Sequence, residues 1–283
     1  MAISNSFSRF TIFYLAAILI LSPIPAFAQK QKPAGPKFDT VDFAKKSELA
    51  QWLVEYDEVA WKTTDVLMTE DKAEIAKLGP QWFCFQDGKK LWHAVYGNVA
   101  NGKYDLVFHY LFDSARKITK TTEKIDQDFL NCHAKALTTA GATLSAKIGL
   151  DAPAFNQYIR VNSDKTFDVW LFPAFQANGD ALYGIEGIYH IDSSGSKIIE
   201  DTSYHQKGLR GFKTTPPREI WLDYREAEKP SLGSVFFVWY YKSYFTNIYI
   251  DNSKSTSTVI KSGPNGYMWV NVEKDDKKAP KPK

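Results

Sequence analysis

Cysteine, methionine and histidine are scarce in this chain of 283 residues, at two, three and five copies. Two cysteines alone cannot form a structural zinc site, and neither lies in a C-x-x-C pair. There is no G-x-S-x-G, no H-E-x-x-H, no P-loop and no G-x-G-x-x-G. The local geometries that those motifs supply for acyl transfer, zinc hydrolysis, phosphate cradling and dinucleotide binding are therefore not signalled. No metal and no cofactor is expected. One sign of charge does not dominate either: 35 Lys and Arg face 32 Asp and Glu, a formal charge of +3. The charges are mixed outside the ends, whereas nucleic-acid binding needs a clustered basic face.

Long apolar runs are also lacking, with one exception. Thr11 to Leu21 is almost wholly apolar, preceded by a single charge, Arg9, and followed by Pro23, Pro25 and the small-x-small triplet Ala26-Phe27-Ala28. This is the pattern of a secretory signal peptide over residues 1–28, and it is short for a membrane span. An uncleaved anchor is the rival reading. Its style suggests a bacterial exported protein, periplasmic or secreted, with no transmembrane span after cleavage. "QKQKPAGPK" reads as a disordered leader over residues 29–38, and residues 273–283, "EKDDKKAPKPK", as a disordered basic tail.

What is present is aromatic. Phe, Trp and Tyr make up 15% of the chain, and "VFFVWYYKSYFTNIYID", Val235 to Asp251, has eight rings in seventeen residues. Alternate positions of this stretch are apolar on both faces. It therefore reads as a central strand covered on each side, with its rings as core, and an aromatic ligand platform is the alternative.

The rest gives an α+β class. Residues 42–69 carry apolar residues at steps of three and four, predicting an N-terminal helix, with a second short helix at "DKAEIAKLG". The period then drops to two. "QWFCFQ", "LWHAVYG" and "KYDLVFHYLFD" predict a three-strand meander around an Asp87-Gly88 turn. A long helix is predicted from Thr119 to Lys147, with Cys132 on its core stripe and His133 off it. After Pro153 every segment reads as strand and turn, a mostly antiparallel sheet. Residues 39–272 make one domain, with a candidate seam near 150–153.

Several polar positions are candidate sites. Asp57, Trp61 and Asp65 lie at i, i+4 and i+8, in line on one helical face, where a sugar or cation could stack on Trp61. The blander alternative is a packed tryptophan between solvated acids. In the hairpin "GIEGIYHIDSSGSKIIEDTSYH" a two-residue Ser194-Gly195 turn puts His190 opposite Ile199 and Glu186 opposite Ser203. Glu186, His190, Asp201 and His205 then share a face, and His190 with Asp201 or Glu186 would be the base half of a hydrolytic site. A turn of another length scatters them. His93 and His109 share a face if the Asn98–Gly102 turn has five residues, and oppose one another if it is a tight Asn101-Gly102 turn. Cys84 and Cys132 would close a loop of 48 residues if bonded, contributing roughly 3–4 kcal/mol. Two buried thiols fit equally well.

These readings converge on an exported, noncatalytic protein that binds a small molecule, a glycan or an envelope protein. A hydrolase built on His190 is the alternative, and a structural envelope component a second.

Overall fold

The computed structural model describes residues 38–149, 153–263 and 266–274. The expected signal peptide, most of the leader, residues 150–152 of the expected seam and the tail from residue 275 lie outside the described residues. From Phe38 onward the chain is one compact α+β unit.

Helix α1, Thr40–Leu67, opens where Asp39 accepts the amide of Asp42, a side-chain N-cap. It buries Phe43, Ala50, Leu53, Tyr56, Val59, Ala60 and Leu67 along one stripe. The short α2, Lys72–Ile75, follows. Strands β1 (Trp82–Gln86), β2 (Trp92–Ala100) and β3 (Lys103–Phe112) form the expected meander, and a fourth strand, β4 (Ile118–Lys120), pairs with β3. The long helix α3, Gln127–Ile148, therefore starts later than Thr119. Asp126 caps it through the amide of Phe129, while Ile118, Thr119 and Lys120 satisfy the edge of β3. Its buried face is also rotated from the expected one. His133 is fully buried and Cys132 only partly, because Leu130, Ala134 and Leu137 carry the stripe.

The second sheet runs β5 (Phe155–Val161), β6 (Phe167–Pro173), β7 (Asp180–Ile191) and β8 (Ile198–Asp201), all antiparallel, and β9 (Tyr204–Lys213) continues along β7 beyond β8. The third sheet is β10 (Glu219–Tyr224), β11 (Asn247–Asn252), β12 (Ser255–Lys261) and β13 (Tyr267–Glu273).

The stretch expected as a central strand is mainly a helix. Leu232–Tyr241 forms α4, capped by Ser231 through the amide of Ser234, and only its last residues enter β11. Val235, Phe236, Phe237 and Val238 are consecutive and all buried, so the helix is enclosed on every side. A run that is apolar all round has no period to separate a core helix from a covered strand. The helix joins β10 to β11 as a crossover, and so these two strands pair in parallel. The expectation that the rings are core filler does describe α4: Phe236, Phe237 and Tyr241 are buried, and Phe236 packs on Phe172 and Tyr158.

Candidate ligand cleft

One face of the second sheet is built from the even-numbered residues of β5 to β8. Strand register aligns Arg160 with Asp168, Asp168 with His190, and His190 with Glu200. Four side chains that can alternate in charge thus form a single row across four strands. Deeper along β7 the same face carries Ile188 and then Glu186. With rises of about 3.3 Å per residue, Glu186 lies roughly 13 Å from His190. The opposite wall comes from Lys46 and Leu49 of α1 and from Ser231 and Leu232 at the start of α4. Together they bound a cleft of about 540 Å³ with Trp170 and Tyr204 in its lining.

At the first end Asp168 holds the row together. Its Oδ1 is 2.9 Å from His190 Nδ1 and its Oδ2 is 3.3 Å from the Arg160 guanidinium. A carboxylate only accepts, so Nδ1 carries a proton and donates it to Asp168. The Arg160 guanidinium lies over Trp170 at 5.2 Å and Trp52 at 5.6 Å, which fixes its plane.

At the other end Glu186 is only 2% exposed. It accepts from the Ser231 hydroxyl, the Gly233 amide at 2.8 Å and the Tyr224 hydroxyl at 3.3 Å. It thereby satisfies the Gly233 amide in the first turn of α4 from a different element. Burial pushes its carboxyl up to about 7, against the pull of those donors and of Lys46. Gly233 leaves room for this carboxylate: a Cβ there would lie 2.4 Å from the Glu186 carboxyl carbon, and the side chain would have to shift.

The expected hairpin group is not assembled. The turn spans Asp192 to Lys197, with Asp192 accepting the amides of Ser196 and Lys197, and a bulge follows on β8. His190 therefore faces Glu200 instead of Ile199, and its carboxylate is Asp168 instead of Asp201 or Glu186. Asp201 is bound by Lys147 of α3. His205 pairs with Ile185 and so points away from Glu186, which faces Tyr204. Gly195, at φ 72°, lies where a Cβ would meet the Cys132 carbonyl at 2.4 Å, and this seats the turn on α3.

The Asp57–Trp61–Asp65 line likewise separates. Asp57 turns inward and accepts from Asn156 at 2.9 Å and Tyr158 at 3.0 Å, and burial raises its carboxyl. Trp61 is 58% exposed beside Lys62, and Asp65 is exposed. His93 and His109 are joined, Nδ1 to Nε2, at 2.9 Å. The turn is the tight Asn101-Gly102 form, which alone would oppose them, but a bulge between Tyr96 and Gly97 restores a common face. Both cysteines are free thiols, Cys84 buried within β1. Among the described residues no cluster of three or more His, Cys, Asp or Glu side chains could hold a metal.

Arg160, Asp168, Glu200, Lys46 and Ser231 are among the cleft residues that motif reasoning missed. A four-residue "NSDK" connection, counted back, sets Arg160 against Phe167; in the structure Asn162 pairs with Thr166, and this one-residue difference in the turn brings Asp168 opposite Arg160. The chain matches no family model, no curated protein and no solved structure.

Proposed function

We propose that the protein is an exported, noncatalytic binding protein whose cleft between the second sheet and α1 takes one small elongated polar ligand. The observation behind this reading is the pairing of two polar ends across an apolar floor. The Arg160–Asp168–His190–Glu200 row offers donors and acceptors at one end, and Glu186 with Lys46 and Ser231 offers them at the other. Few precisely placed polar groups on a mostly apolar concave wall are the usual makeup of a ligand site. Export rests on the sequence of residues 1–28. The test is native mass spectrometry of the protein after incubation with a small-molecule extract of the cell envelope. A retained mass is expected, and it should be lost when Arg160→Ala and Glu200→Gln are combined. If the unmodified protein retains nothing, or the double variant retains the same mass, the cleft is not the binding site.

A hydrolase is the second reading, favoured by one feature: His190 is oriented by Asp168 as a general base is. Among the described residues no hydroxyl or thiol hydrogen-bonds its Nε2, so the base would act on water. In that case His190→Ala stays folded and loses turnover of envelope substrates. Unchanged turnover removes this reading.

A further inference from the structure

A second concave site lies outside the cleft. Gln206, Lys207 and Arg210 of β9, Asp223 near the end of β10, and Arg225 and Glu226 just beyond it bound a recess of about 370 Å³. It shares no lining residue with the cleft. All six residues are polar, three of them basic and two acidic.

Asp223 organises the recess. Its Oδ1 accepts from the Arg225 amide at 3.3 Å and from Arg225 Nε at 2.9 Å. Its Oδ2 accepts from Arg225 Nη2 at 2.9 Å and from Arg210 Nη1 at 2.7 Å. Two bonds on each oxygen fill a carboxylate, so Asp223 has no lone pair left for a ligand. The backbone beneath it is fixed as well. Gln206 Nε2 donates to the Asp223 carbonyl at 2.7 Å, and the Asp223 amide donates to the Tyr183 hydroxyl at 3.3 Å. Two guanidinia from different elements are thus held by one anchor. Each has five N–H groups; Arg225 gives Asp223 two of them and Arg210 gives it one. Both side chains are exposed, so donors remain for an occupant.

Charge decides the sign of that occupant. Asp223 cancels one of the two guanidinium charges. Lys207 and Glu226 form only a loose pair, 3.8 Å apart and well exposed, of a kind that contributes little. A positive charge is left over beside unspent donors. One guanidinium fork already satisfies a planar carboxylate, whereas a tetrahedral oxyanion has oxygens for two. A phosphomonoester supplies three such oxygens and nearly two negative charges. We propose that this recess binds the phosphoryl group of a phosphomonoester, clamped by Arg210 and Arg225, with Lys207 as a third cation and Asp223 as the positioning residue. The inference is independent of the cleft and of what it holds.

The experiment is titration calorimetry of the purified protein with glycerol 3-phosphate, dimethyl phosphate and acetate, all at one ionic strength. One glycerol 3-phosphate per chain is expected, with dimethyl phosphate and acetate bound more weakly or not at all. Arg210→Gln and Arg225→Gln should each weaken binding at least about tenfold. Lys207→Gln, at a side chain that stands free in solvent, should weaken it several-fold and keeps the test valid if either arginine variant fails to fold. Lys89→Gln in the β1–β2 turn changes the net charge equally and should leave binding as it was. Vesicles of phosphatidylcholine with phosphatidic acid carry the same group on a lipid, and uptake by these alone, lost in Arg225→Gln, assigns the group to a headgroup. The proposal is overturned if neither glycerol 3-phosphate nor these vesicles bind, or if acetate binds as tightly. It is also overturned if Lys89→Gln weakens binding as much as the recess variants do.

Discussion

A fully buried histidine makes acid the sharpest probe of this core. His133 of α3 lies among Phe129, Phe167, Phe83 and Phe85, the nearest ring centroid at 3.8 Å. Its Nδ1 donates to the Phe129 carbonyl at 2.7 Å, while Nε2 is buried without a hydrogen-bond partner. Burial lowers its pKa from 6.5 to about 4, and the Phe129 carbonyl only partly opposes this. The unfolded chain takes up this proton near 6.5 and the folded one near 4. Stability owed to the neutral ring is therefore complete above 6.5, drains away as pH falls to about 4, and changes no further below. At about 1.4 kcal/mol per pH unit the interval is worth about 3 kcal/mol. His133→Leu removes the titration and fills the same box, at a cost near neutrality of about 1 kcal/mol in either direction. Urea unfolding of both proteins at about pH 7 and about pH 4 isolates the effect, since every other titrating group is common to the two. The variant should gain about 3 kcal/mol on the parent between those conditions. If the two stabilities fall in parallel, the ring is not held neutral and the account of the core is wrong.

Glu186 predicts the opposite sign. Its folded pKa is raised, to about 7, so its contribution is present below its ordinary value of 4.5 and is lost as pH rises through about 7. Glu186→Gln should raise the unfolding temperature at alkaline pH and leave it nearly unchanged near pH 5; a lower temperature at alkaline pH would mean that α4 requires the anion. Gly195→Ala places a Cβ against the Cys132 carbonyl at a φ of 72°, and should cost about 1–3 kcal/mol in urea unfolding. A neutral result would show that the β7–β8 turn is not seated on α3.

The parts of this fold legible in the sequence are those with a period. α1 and the meander announce themselves by steps of three or four and of two. The miss at α4 follows from the same rule, because a segment buried on all sides carries no period. Length could have arbitrated, as could the helix-start signal of Ser231 just after Pro230. Site geometry was less legible because it depends on parity. The bulge at Tyr96/Gly97 reverses what the tight turn alone implies, and so His93 and His109 meet. Gly97 was the available clue: a Cβ there would lie 2.3 Å from the Asp105 carbonyl, and a glycine inside a strand often marks a bulge.

The cleft raises a further point about what parity decides. One residue of slip between β7 and β8 would remove Glu200 from the row facing His190, while the β5–β6 and β6–β7 pairings would keep Arg160, Asp168 and His190 in line. The row is thus most sensitive at the Asp192–Lys197 turn, whose register is held by the Asp192 side chain and by the seat of Gly195 on α3. Neither residue lines the cleft. The shape and charge of the cleft at its Glu200 end therefore depend on residues outside its lining, through the strand alignment that they enforce.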